Sequence, residues 1–137
     1  MTRTVSLRFH NLPGSRAGFG RAGTRSLIAD RPEGVAQGEG LGFNGAELLA
    51  ASIGGCFWND LHYAAEARGT VLGAVEVAVD VTLSGAPLRV TAATIHARIA
   101  ADEPAHAREC FDDAAATSTI ANSVSAAFPV AFAFEDF

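Results

Sequence analysis

Apolar and polar residues alternate with period two in several stretches of this chain, and one long stretch between them has no polar face. Thr4-Val5-Ser6-Leu7-Arg8-Phe9 alternates and predicts a strand that ends at Asn11-Leu12-Pro13-Gly14. A glycine-rich, turn-forming segment over 14–24 leads into a short strand, Thr24 to Ala29, and a loop with glycines at 34, 38, 40 and 42 follows. Val75, Val77, Val79, Val81 and Leu83 then alternate with Glu76, Ala78, Asp80 and Thr82, the pattern of a half-buried antiparallel strand. Ser84-Gly85-Ala86-Pro87 turns the chain into a second strand. Its phase slips near Ala92, which predicts a β-bulge there.

The stretch between these strands reads as a helix from Asn44 to about Arg68, stopped by Gly69. Asn44 with Glu47 three residues on is a variant of the capping box. The first half, Gly45 to Phe57, is apolar on nearly every side; the second half is amphipathic. A helix greasy all round must be buried all round. At about 35 Å long it exceeds what one small domain encloses, so a second copy of the chain is expected to cover it. Asp102-Glu103-Pro104 marks the start of a further helix that turns Cys110, Phe111, Ala114 and Ala115 inward. A short helix or turn, Ser118 to Ala126, and an alternating strand, Phe128 to Phe137, complete the order β-β-β-α-β-β-α-α-β. The expectation is one α+β domain over residues 1–137.

Composition changes this picture little. The chain is 49% hydrophobic, yet no window reaches eighteen uninterrupted apolar residues, so no membrane span is predicted. The first ten residues contain no apolar signal region, and two cysteines are no disulfide scaffold; a reduced, cytoplasmic protein is expected. The net charge of −5 and ten scattered arginines leave no basic face for nucleic acid. His10, His62, His96 and His106 are dispersed, and none has metal-ligand spacing with a cysteine or acid. No metal or cofactor is predicted.

Chemistry concentrates at Cys56. It follows Gly54-Gly55, a pair that costs a helix interior about 2 kcal/mol relative to alanine. The usual reason for such a pair is close approach of another backbone or a ligand. Cys56 is mid-helix, beyond reach of the helix dipole, and unaided would be mostly thiol at neutral pH. An arginine from the glycine-rich 14–24 segment is the natural source of stabilisation. Glu47 reads as a helix cap or as the carboxylate that holds such an arginine. Cys110 reads as a core residue.

Glu47-Leu-Leu-Ala-Ala-Ser-Ile-Gly54-Gly55-Cys56 resembles the E-L-L-x-A-A-x-G-G-C segment of the OsmC/Ohr family, the osmotically induced and organic hydroperoxide resistance proteins. The element order matches along nearly the whole chain. The resemblance implies antiparallel sheets around a long buried central helix, in an intertwined homodimer. It also implies a thiol peroxidase in which Cys56 attacks a hydroperoxide and an arginine with Glu47 holds the thiolate. Arg16 is preferred for that arginine, with Arg21 and Arg25 left open. Hydroperoxide-reducing members usually write N-P-E one position before Glu47, where this chain has Asn44-Gly45-Ala46. The family's resolving cysteine opens a C-P-[IV] motif, and that position reads Ser118-Thr119-Ile120. Ser118 cannot form a disulfide, so the expected chemistry is a one-cysteine cycle completed by an external thiol. The alternative is a non-catalytic protein that binds a small apolar ligand beside Gly54-Gly55, with Cys56 as wall.

Overall fold

The computed structural model describes residues 1–135 and contains the predicted order of elements, arranged as two compact units, Met1–Leu48 and Leu49–Phe137. The last two residues of the expected C-terminal strand lie outside the described residues. Among the described residues no helix is long and apolar enough to cross a membrane.

The first unit is built on an antiparallel sheet in the order β1 (Arg8–Asn11), β2 (Gly18–Ala22), β3 (Arg25–Ala29). β1 begins four residues later than its alternation predicts. Strand length here is set by hydrogen-bonding partners, and β2 offers partners only for Arg8 to Asn11. β2 forms despite Gly18 and Gly20 because Phe9 lies across them: a Cβ at Gly20 would sit 2.8 Å from Phe9 Cε1. The loop after β3 is organised by Asp30, whose buried carboxylate accepts the N–H groups of Arg31, Glu39 and Leu41 at 2.8, 3.1 and 3.0 Å. These bonds hold the Asp30 carboxyl below the usual range, the Leu41 N–H contributing most.

Helix α1 spans Gly45–Arg68. Its start is a reciprocal capping box: Glu47 N–H donates to Asn44 Oδ1 at 2.8 Å, and Asn44 N–H donates to Glu47 Oε1 at 3.0 Å. In the second unit α1 buries Ile53, Phe57 and Leu61 completely, with Ala64 and Ala65 nearly so. Each large side chain contributes about 1.5–3 kcal/mol. The sheet beneath has the order β4 (Leu72–Ser84), β5 (Arg89–Ala101), β6 (Val130–Glu135). Ala93, Ile95, Ala97 and Ile99 of β5 form its buried face, and Phe57, Phe111 and Phe132 meet edge-on or tilted in the core. The predicted bulge is Thr91: Thr82 pairs with Ala92 and Leu83 with Val90, so Thr91 has no opposite residue.

One expectation is corrected. β4 and β5 are antiparallel, but β6 runs parallel to β5. The chain between them carries two helices, α2 (Pro104–Thr117) and α3 (Thr119–Val124), long enough to return it to the same end of the sheet. Ala107, Cys110, Phe111 and Ala114 are the buried face of α2, while Ala115 is half-buried.

Only one face of α1 is covered by the described residues. Ala51, Gly55, Trp58, Asn59, His62 and Tyr63 lie on the other, Trp58 at 41% and Tyr63 at 67% exposure. The glycine pair divides the same way. A Cβ at Gly54 would come 2.9 Å from Val79 Cγ2, so β4 explains that glycine, whereas a Cβ at Gly55 would meet nothing within 4 Å.

Candidate functional site

Cys56 is half-buried on α1, and its sulfur is flanked by two polar groups of the second unit. Asp60 lies one helical turn further on, and side chains at i and i+4 share a face. The Cys56 thiol donates to Asp60 Oδ2 at 3.6 Å. The Ser118 hydroxyl, 62 residues away in sequence, donates to Cys56 Sγ at 3.6 Å. Ser118 is fully buried and fixed from both sides. It is the junction between α2 and α3, with extended backbone (φ −60°, ψ 111°) and its N–H on Ala114 O at 2.8 Å. Its carbonyl accepts Asn122 N–H at 3.0 Å and Asn122 Nδ2 at 2.7 Å. The arrangement can do two things chemically. A hydroxyl donated to sulfur can steady negative charge that develops there during a reaction, and a carboxylate that accepts the S–H can receive its proton.

The structure therefore brings together Cys56 and Ser118 of the residues singled out by sequence, and adds Asp60. The neighbouring polar group Asn59, Asp60 and His62 is visible in sequence, but only the i, i+4 spacing from Cys56 distinguishes Asp60. His62 turns away, its Nδ1 on Trp58 O at 2.9 Å. Cys110 packs against Ala64, Ala65 and Leu72, two turns along α1 from Cys56. Burial pushes its thiol up, which makes it a poor nucleophile.

Arg16 and Glu47 belong to the first unit. Glu47 is the helix cap. Arg16 is an exposed residue of the β1–β2 turn whose carbonyl accepts Arg31 Nη2 at 2.7 Å. It borders a cleft of about 680 Å³ walled by Phe9, Phe43 and Leu48. Arg21 pairs across the sheet with Arg8 and Ser26, and Arg25 opens β3; both are exposed. A second cleft of about 330 Å³ lies beside Gly54 and Gly55, lined also by Ala50, Ala51, Trp58, Val77 and Val79. Cys56 is not part of that lining, contrary to the expectation that it forms the wall. Among the described residues no three His, Cys, Asp or Glu side chains converge as a metal site requires.

An α+β fold with this element order and a half-buried cysteine on its long helix defines a class, and comparison with known proteins specifies it. The family model of the OsmC-like proteins matches residues 38–133, and the chain belongs to that family. Its fold is that of an OsmC-like protein from Mycoplasma pneumoniae, with a TM-score of 0.80 at 14% identity over 99% of both chains. An organic hydroperoxide resistance protein from Legionella pneumophila matches with a TM-score of 0.73 at 21% identity over 98% of both chains. The organic hydroperoxide resistance protein of Bacillus subtilis matches at 0.68 and 19%, covering 97% of this chain and 98% of its own. No curated protein matches the chain in sequence.

Proposed function

We propose that this protein is a cytoplasmic, thiol-dependent peroxidase that reduces small organic hydroperoxides through Cys56 alone. The observation that carries the reading is the Ser118 hydroxyl aimed at the sulfur of a half-buried cysteine. The thiolate attacks the outer oxygen of ROOH; the O–O bond breaks, an S–O bond forms, and Cys56 becomes a sulfenic acid while ROH leaves. Ser118 stands where a resolving cysteine would, so the sulfenic acid is returned to the thiol by an external thiol, which ends as a disulfide. The resemblance assigns the charge that steadies the thiolate to an arginine partnered by Glu47, with Arg16 preferred over Arg21 and Arg25. A second copy of the chain covers the exposed face of α1 at Trp58 and Tyr63, making the working form a homodimer. Similarity in fold to two organic hydroperoxide resistance proteins supports the substrate class.

Stopped-flow mixing of the reduced protein with cumene hydroperoxide tests this. Rapid one-to-one oxidation, abolished by Cys56→Ser and trapped by dimedone, is expected, from a protein that light scattering finds dimeric. A wild type that does not react faster than a free thiol removes the reading. A second reading, a binding protein for a small apolar ligand, is favoured by the cleft of about 330 Å³ beside Gly55. It predicts a hydrophobic dye displaced from Trp58 by ligand, in wild type and Cys56→Ser alike.

A further inference from the structure

Three acids are less than fully exposed among the described residues: Asp30, which is buried, and Asp60 and Asp113, which are partly buried. Two have evident structural work. Asp30 accepts three backbone N–H groups, and Asp113 makes a two-point pair with Arg68 at 2.6 and 3.0 Å. Asp60 caps no helix end and, within its unit, pairs with no cation; its hydrogen bond is with the Cys56 thiol. A half-buried carboxylate that gives up water for a single weak donor is poorly explained by stability.

We propose that Asp60 is the proton carrier of the Cys56 reaction, taking the thiol proton and delivering it to the departing alkoxide. The proposal rests on the peroxidase reading of Cys56. Reduction of ROOH by a thiol moves one proton twice, off sulfur before attack and onto RO⁻ after it. Ser118 cannot serve the first transfer, because it already donates its own hydrogen to the sulfur. Asp60 Oδ2 accepts the S–H at 3.6 Å, and helical side chains lean toward the N-terminus, which carries the Asp60 carboxyl back over Cys56. The cycle closes without solvent. The S–H proton passes to the carboxylate, the thiolate takes OH from ROOH, and the carboxylic acid protonates RO⁻. In sum Cys56–SH and ROOH give Cys56–SOH and ROH; sulfur loses two electrons and the peroxide bond gains them. Among the described residues the group bonded to Asp60 is the Cys56 thiol, whose sulfur in turn accepts the Ser118 hydroxyl.

The test compares three reagents on wild type and Asp60→Asn. Cumene hydroperoxide releases an alkoxide that needs a proton; peracetic acid releases acetate, which does not; iodoacetamide reports the sulfur alone. Asp60→Asn is expected to slow the hydroperoxide about 100-fold, the lower range for a lost general acid. Peracid reduction and alkylation need the proton only off sulfur, a pre-equilibrium that solvent base also reaches without Asp60, so they should stay within about twofold of wild type. Equal changes for all three reagents, or an unchanged hydroperoxide rate, overturn the proposal and leave the peroxidase reading intact. If Asp60→Asn does not fold, Asp60→Ser takes its place, and the same pattern across the three reagents decides. A wild type inert to both oxidants removes the peroxidase reading, and this one with it.

Discussion

Ser118→Cys should convert the site into a two-thiol system, and the structure sets what that is worth. The Ser118 Oγ and Cys56 Sγ are 3.6 Å apart, and a disulfide needs two sulfurs at about 2.05 Å. Rotation of the two side chains has to supply that closure, because the α2–α3 junction is pinned by Ala114 and Asn122. A bridge across 62 residues removes unfolded-chain entropy equivalent to about 4 kcal/mol at 25 °C. Strain lowers the net gain, so about 2–4 kcal/mol is expected for oxidised over reduced variant. The reduced variant should lie within about 1 kcal/mol of wild type, the worth of one hydroxyl hydrogen bond. Peroxide or diamide oxidation, a native-state thiol count and urea unfolding of both forms provide the assay. Cys110 is fully buried and serves as the internal control that stays unmodified. If diamide produces no bridge between Cys56 and the introduced thiol, or joins Cys56 to Cys110 instead, the geometry of this site is wrong.

Three further outcomes follow from features away from the sulfur. Gly54→Ala should destabilise by about 0–2 kcal/mol in urea, its gain in helix propensity outweighed by overpacking against the stiff Val79 side chain. Gly55→Ala meets nothing within the chain and should gain about 1 kcal/mol in a monomer; loss of stability or dimer instead would mean that a partner covers it. His96 joins Glu135 at 2.7 Å and Asp80 at 3.1 Å, and the Glu135 hydrogen bond above all raises its pKa. Stability from this cluster is therefore complete below the ordinary histidine pKa of about 6.5 and lost as pH rises through the raised folded value. The unfolding midpoints of wild type and His96→Gln should converge as pH rises above about 6.5, and a constant difference would refute the charge-based account.

The sequence carried most of the scaffold because its strongest signals are local. The capping box at Asn44 and Glu47, the stop at Gly69 and the slip near Ala92 each depend on residues a few positions apart, and each appears where the pattern puts it. β2 and the true start of β1 were less legible, because glycines that read as turns are cleared for Phe9, a contact between strands. The parallel placement of β6 depends on where α2 and α3 deliver the chain, which periodicity does not encode. At the site, Ser118 could be aligned with Cys56 only through family resemblance, since 62 residues separate them. Asp60 needed only helical geometry, since i and i+4 share a face, but nothing local says that its carboxylate turns to the thiol.

The junction that holds Ser118 also bears on how such proteins diversify. The position is fixed by main-chain contacts on both sides, and the side chain contributes only the atom it presents to the sulfur. Many serine codons lie a single base from a cysteine codon. On the one-cysteine reading proposed above, a lineage can therefore exchange an internal disulfide for dependence on outside thiols, or reverse the exchange, by one point mutation that leaves the scaffold in place.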